Sequence, residues 1–416
     1  MLKLKKGVIL YNKVNPLFLI KNINMNEKSI NSKLDEIIKL LLKSKINNIS
    51  FLLGLSGINI ALYYQYKNNE QIIIKNIGKV ISEINKGFSI HTYCSGISGF
   101  AWSLKHLIYK GFFDEKDCEI LNQINPFIYK KMLNDLENKN FDFLHGAIGV
   151  GLYFISDLNN KSSLAHVSEL VDKIEDLSIK DGKGILKWES LVIGSNNNLK
   201  LVYNLSLSHG MASIIAFLAK TYQKGINKTK SKKILVSAIN YLLKNKNDIS
   251  KYNCYFPSWI CNTDENRQSR LAWCYGDLGI SVALYNAAKV LNDTSLEEFA
   301  LKVLHHSSCR RDLPKEFVID AGLCHGTAGI AHIFYRMYWN TKDKAFYETA
   351  NFWFEKTLEM SNFSNGLAGY KAYRSKENGS WQKEYGILEG ISGISLALHS
   401  WVTQTEPTWD ECLLLS

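Results

Sequence analysis

One short signature constrains the fold of this chain more than any other feature. Gly-x-x-Gly followed by a mostly apolar run occurs at Gly54/Gly57, Gly96/Gly99, Gly146/Gly149, Gly276/Gly279, Gly326/Gly329 and Gly390/Gly393. A seventh unit, Gly210-Met-Ala-Ser213, lacks the second glycine. The runs that follow, such as Ile58 to Tyr66, Phe100 to Ile108, Ile214 to Tyr222 and Ile394 to Val402, are too long for typical strands. They are apolar on nearly every face, which predicts buried helices. Between them lie amphipathic segments: Ser29 to Lys45, Glu70 to Asn85, Glu115 to Leu136, Ser163 to Leu177, Lys228 to Leu243, Thr294 to His306 and Lys342 to Met360. In the first, Leu34, Ile37, Ile38 and Leu41 fall on one helical face.

This alternation has a geometric consequence. An apolar helix must be covered all round, whereas an amphipathic helix covers on one side and meets water on the other. Seven inner helices ringed by seven outer ones satisfy both, so the expected fold is all-α, an α/α toroid with the glycine junctions at one end. A stacked solenoid competes, but the repeat intervals are uneven and a solenoid does not ordinarily make every second helix fully apolar. With 416 residues, 46% of them hydrophobic, the chain can bury so large a core. Residues 1–416 are expected to form one toroidal domain with a small β-rich insertion around 178–207. Gly182 to Leu207 reads as a ribbon turning at Gly194-Ser-Asn-Asn-Asn, and Gly366 to Tyr385 as a second, turning at Asn378-Gly379. The glycines themselves need no chemistry: a turn entering a helix can require positive φ, and close backbones exclude a Cβ.

Several classes are set aside by composition. The formal charge is +11, from 50 basic and 39 acidic residues, yet there is no dense basic run and no aromatic-basic interleaving, so no nucleic-acid partner is expected. A solvated basic exterior is the default, and steering of an acidic peptide the sharper reading. Lys3, Lys5 and Lys6 precede the apolar Gly7 to Tyr11, but Asn12, Lys13 and Asn15 interrupt it and no cleavage site follows. No apolar span approaches the roughly eighteen residues that cross a bilayer. A cytoplasmic protein is expected, with docking at the inner membrane surface left open. The eight cysteines are irregularly spaced and do not resemble a disulfide framework. Cys94, Cys118, Cys254, Cys261, Cys309 and Cys412 read as small buried or partly buried side chains.

In such a ring the residue before each first glycine faces a common opening. These are Leu53, Ser95, His145, His209, Tyr275, His325 and Glu389. Helix N-termini there would turn unpaired N–H groups to the opening and favour anions and thiolates. Cys274 stands two residues before one junction glycine, and Cys324 and His325 directly before another. Two cysteines and a histidine form a three-ligand set for one zinc ion, with a fourth position open as in catalytic sites. A fourth protein ligand, Cys94 or His209, remains possible at this point.

The segments Arg270-Leu-Ala-Trp-Cys274-Tyr-Gly-Asp-Leu-Gly279, Cys324-His325-Gly326 with Gly329, and Ser208-His209-Gly210 resemble the motifs of the lanthionine synthetase C-like family of lanthipeptide cyclases. The resemblance spans nearly the whole chain. It implies an α/α toroid with zinc held by Cys274, Cys324 and His325, and an activity that joins peptide cysteine thiols to dehydroalanine or dehydrobutyrine in thioether rings. A zinc-bound thiol is ionised near neutral pH, and its attack leaves an enolate needing a proton. His209 is the expected acid. Asp142 matches an acidic family residue that accepts the thiol proton or orients His209. Arg270 and Tyr275 match residues near the metal and are candidates for steadying the enolate oxygen. Ser213 and Leu278 depart from the family pattern, the latter where proline is common.

The expected substrate is a dehydrated precursor peptide with its leader. Dehydration falls to a separate enzyme, and an export transporter is a candidate for the same assembly. Two rivals remain: a zinc enzyme adding glutathione or another small thiol to dehydrated residues, and a zinc-bearing peptide scaffold without turnover. A toroidal glycosidase is weaker, because Glu389 and Asp142 lack a convincing paired arrangement.

Overall fold

A computed structural model of the chain describes residues 27–65, 70–193, 199–261, 267–375 and 380–416. The N-terminal stretch weighed as a signal peptide, Tyr66 at the end of the first apolar run, and the turns at Gly194 to Asn198 and Asn378-Gly379 lie outside these residues. Among the described residues fourteen α-helices alternate as the sequence pattern predicts. The amphipathic set is α1 (Glu27–Lys43), α3 (Glu70–Asn85), α5 (Ile120–Glu137), α7 (Lys161–Asp176), α9 (Lys228–Lys244), α11 (Thr294–Ser308) and α13 (Lys344–Glu359). The apolar set is α2 (Leu55–Gln65), α4 (Ile97–Tyr109), α6 (Ala147–Ser156), α8 (Met211–Gln223), α10 (Asp277–Leu291), α12 (Thr327–Thr341) and α14 (Ile391–Thr403). α1 buries one stripe, Ile30, Leu34, Ile37, Ile38 and Leu41. By contrast α12 buries every residue from Thr327 to Tyr338. Its Arg336 is tolerated there because Nη1 pairs with Glu406 at 3.0 Å and Nη2 donates to the Pro407 carbonyl at 2.8 Å. None of the described helices is long and apolar enough to cross a membrane.

The chain divides into two compact units, Met1–Pro126 with Ile319–Trp409, and Phe127–Val318 with Asp410–Ser416. In the first, successive junction loops are tied by backbone hydrogen bonds at equivalent positions. Cys324 N donates to Leu388 O (2.8 Å), Leu388 N to Leu52 O (3.0 Å), and Leu52 N to Cys94 O (3.0 Å). In the second, the equivalent Ser208 N donates to Cys274 O (3.4 Å), which Leu207 N also reaches (3.1 Å). The second unit also carries the β-rich insertion: a hairpin of β1 (Ile179–Lys180) and β2 (Leu186–Lys187), and a sheet ordered β3 (Ser190–Ile193), β4 (Leu199–Asn204), β5 (Trp259–Ile260). β6 (Ala372–Tyr373) and β7 (Trp381–Gln382) form the second expected hairpin, in the first unit.

Two local expectations change. Positive φ is needed at Gly276 alone among the helix-entry glycines that cap α4, α6, α8, α10, α12 and α14; at the other five the backbone is extended. Close approach accounts for the rest: a Cβ on Gly329 would lie 2.0 Å from Leu323 O. Nor are the first-turn N–H groups unpaired. Thr327, Ala328 and Gly329 donate to the carbonyls of Asp320, Ala321 and Gly322, so the loop's own backbone caps the helix. The imperfect fourth unit uses its serine instead, Ser213 Oγ donating to Gly210 O at 2.7 Å.

Candidate metal and acid–base site

At all seven junctions the residue before the first glycine is at least partly exposed, and the glycine after it is buried. Leu53, Ser95, His145, His209, Tyr275, His325 and Glu389 thus each reach solvent. Two places before the glycine, Leu52, Cys94, Leu144, Ser208, Cys274 and Leu388 are buried, while Cys324 is partly exposed.

In the second unit the chemistry gathers around His209. Its Nδ1 lies 2.6 Å from Asp142 Oδ2, and its backbone N–H is fixed by Ser206 Oγ at 3.0 Å. The other Asp142 oxygen accepts the His145 N–H at 2.7 Å, so this carboxylate caps its own loop and also orients His209. Burial alone would depress the His209 pKa. The hydrogen bond and negative charge of Asp142, with the field of Cys274, outweigh it and raise the pKa above the ordinary value. The Tyr275 ring stands 6.1 Å from that of His209, and its hydroxyl is 3.4 Å from Asn204 Nδ2. Arg270 is half-buried, and among the described residues its guanidinium has no hydrogen-bond or ion-pair partner. Cys274 is 5% exposed, and its carbonyl also accepts from Ser208 Oγ at 3.3 Å.

The loop bearing Arg270 to Tyr275 rests on a buried ionic network. Asp277 accepts from the backbone of Tyr255 and Phe256 and pairs with Arg310 Nη1 at 3.2 Å, while Arg310 Nε donates to Glu316 at 2.7 Å. The Glu316 carbonyl in turn accepts from Leu271 N.

In the first unit, Cys324 and His325 open the loop's last turn. His325 Nε2 is 3.7 Å from Asp320 Oδ2. Asp320 is 2% exposed; its carboxylate also accepts from Gly322 N (3.0 Å) and, across the chain, Tyr373 N (2.8 Å). Glu389 pairs with Arg374 at 2.5 Å. Burial pushes the Glu389 pKa up, against the pull of Arg374 and His325. Among the described residues Cys274, Cys324 and His325 form the one group that could hold a metal, their ligand atoms within 4.8 Å of one another. Neither Cys94 nor His209 belongs to that group.

Asp320, Arg374 and the Arg310 network escaped the sequence reading, though one signal for Asp320 was available. Six residues before each first glycine stand Asn48, Ile90, Asn140, Asn204, Arg270, Asp320 and Glu384, polar in all but one unit. Asn48, Asn204 and Asp320 each accept from the backbone N–H two residues on, a turn that shapes the loop.

A family model for lanthionine synthetase C-like protein matches residues 45–414. The nisin biosynthesis protein NisC of Lactococcus lactis subsp. lactis is 26% identical over 436 residues, covering 95% of this chain and 96% of its own length. Among solved structures, nisin cyclase aligns with a TM-score of 0.70 and 21% identity, over 94% of this chain and 97% of that one. A sugar epimerase from a ruminal bacterium aligns at 0.48 and 13% identity, over 91% of this chain and 98% of that one. The fold shared with nisin cyclase is the expected α/α toroid with small sheets. With the family model covering nearly the whole chain, this protein belongs to the lanthionine synthetase C-like family.

Proposed function

We propose that this protein is a zinc-dependent lanthipeptide cyclase, a single cyclase domain that adds peptide cysteine thiols to dehydroalanine or dehydrobutyrine residues. The grouping of Cys274, Cys324 and His325 carries this reading. Two thiolates and one imidazole suit zinc, and three protein ligands leave a position for substrate. Asp320 at 3.7 Å from His325 Nε2 fits too, since a metal-bound histidine ordinarily turns its other nitrogen to a carboxylate. Zinc held there would supply the Lewis acidity that ionises a cysteine thiol near neutral pH.

The remaining steps fall to the chain's own groups. Sulfur attack on the β-carbon forms the C–S bond and moves the alkene electron pair toward the carbonyl. Arg270, without a side-chain partner among the described residues, and the Tyr275 hydroxyl are the candidates for that oxygen. His209 then gives a proton to the α-carbon. Its Nδ1 is held by Asp142, which leaves Nε2 for the substrate and favours the imidazolium that must donate. Of the two roles open to Asp142, the 2.6 Å contact supports orientation of His209 over acceptance of the thiol proton. The substrate already carries dehydro residues, so a dehydratase acts before this enzyme.

The test is to incubate zinc-loaded protein with a dehydrated, cysteine-containing peptide and count free thiols by alkylation and mass spectrometry. Loss of thiols at unchanged mass is expected. Thiols left intact would overturn the proposal, and a mass gain from added glutathione would reassign the activity. Cys274→Ala and Cys324→Ala are each expected to lose zinc while keeping the helical circular dichroism; full zinc occupancy in both would remove the ligand set.

A further inference from the structure

Glu389 sits beside the Cys324–His325 loop and yet stays out of the candidate metal group. The two loops run against each other: Cys324 N donates to Leu388 O at 2.8 Å, and a Cβ on Gly322 would lie 3.1 Å from Glu389 Cα. The Glu389 side chain is 11% exposed, and its carboxylate feels the charges of both His325 and Asp320. Carboxylates are ordinary zinc ligands. The group that could hold a metal nevertheless contains Cys274, Cys324 and His325 and not Glu389. Two consecutive residues of the β6–β7 hairpin engage the carboxylates here. Tyr373 N donates to Asp320 Oδ2 at 2.8 Å, and Arg374 Nη2 lies 2.9 Å from Glu384 Oε1 and 2.5 Å from Glu389 Oε2. Among the described residues Glu389 Oε2 is buried and accepts no hydrogen bond, so charge attraction to Arg374 is what holds it. Of the groups acting on that carboxylate, Arg374, His325, Asp320 and Glu384, only Arg374 has a fixed positive charge.

We propose that Arg374 is a positioning residue that withholds Glu389 from the metal and so keeps the fourth zinc position open for the substrate thiol. This rests on the cyclase reading above and its ligand set. A catalytic zinc needs that open position, whereas a site with four protein ligands is closed. A buried carboxylate with an unmet oxygen is costly, and it turns to a cation within reach. With Arg374 in place that cation is the guanidinium. Without it, the flexible Glu389 side chain turns to the metal and fills the place that the thiol needs.

The experiment loads the full chain with cobalt(II) in place of zinc, so that thiolate coordination shows as a charge-transfer band. The probe is a cysteine peptide without dehydro residues, so no ring can form and the thiol proton passes to the buffer. In the wild type the peptide is expected to raise the band by about half, two protein thiolates becoming three. In Arg374→Met the peptide should leave the band unchanged, and zinc should bind about tenfold more tightly in competition with a chelator. Arg374→Met/Glu389→Gln should restore both wild-type responses. Arg374→Gln keeps an N–H donor and loses the charge; it should behave as Arg374→Met does, and it carries the test if methionine prevents folding. A brace without this role predicts the opposite sign, since loosening an outer contact weakens metal binding about 10–100-fold. Weaker zinc binding in Arg374→Met, or a band that the peptide raises as in the wild type, would overturn the inference. A wild type without any thiolate-to-cobalt band would remove the ligand set itself, and the inference with it.

Discussion

His209 is held under opposing influences, and the balance sets how it can work. Burial favours the neutral ring, while the Asp142 contact and the field of Cys274 favour the imidazolium and win. Asp142→Asn removes the charge but leaves the burial, so the His209 pKa falls. The alkaline limb of the kcat profile should therefore move to lower pH, while rates well below that limb stay closer to wild type. A profile that keeps its limb in place would separate Asp142 from His209. Replacing the proposed acid, His209→Ala, should slow the proposed ring closure by about 10²–10⁴-fold with zinc still bound, measured by stopped assays and metal analysis. The same raised pKa contributes to folding stability below the unfolded histidine pKa, and that contribution fades as pH rises through the folded value.

At the scale of elements, the junction glycines and the network beneath them decide whether the loops keep their shape. Gly329→Ala would drive a Cβ against Leu323 O, a backbone atom that cannot rotate away, and should cost about 1–3 kcal/mol or more. Gly78, inside α3, has nothing within 4 Å of such a Cβ, so Gly78→Ala should stabilise by about 0.5–1 kcal/mol. Urea midpoints that shift the same way for both would refute the close-approach account. Arg310→Met strands Asp277 and Glu316 in the core and should cost about 3–5 kcal/mol. The helices were legible in the sequence because the two patterns differ in physical demand: α12 needs cover on every side, α1 on one. The candidate group was legible because Cys274, Cys324 and His325 share a register with the glycines. Arg310 was not, since beyond Glu316, six residues on, its partners lie 33 residues away at Asp277 and 41 away at Ser269, where no periodicity points.

For the molecule as a whole, the segment after α14 carries more of the fold than its sequence suggested. Only Cys412 was noted there, as a small buried side chain. A short 3-10 turn, Thr408–Leu413, has too few residues for a periodic pattern to show. Yet Cys412, Leu413, Leu414 and Leu415 are all buried, and they belong to the same unit as Phe127–Val318. The Trp273 indole N–H donates to Leu413 O at 2.9 Å, 140 residues away, and Asn286 donates to Leu415 O. Trp273 directly precedes Cys274, so this carbonyl helps fix the base of the Cys274 loop. Deleting Cys412–Ser416 would expose the surfaces those leucines cover, at about 1.5–3 kcal/mol for each. It would also leave a buried indole N–H unpaired, at about 1–3 kcal/mol. Against a typical total of about 5–15 kcal/mol, the truncated chain should unfold at a much lower urea concentration and bind zinc more weakly. Ser416→Ala, at an exposed position, should change neither. A truncated chain with the wild-type midpoint and zinc affinity would show that the tail merely occupies its groove. Lost zinc affinity at a preserved midpoint would mean that the tail acts on the Cys274 loop and not on the fold.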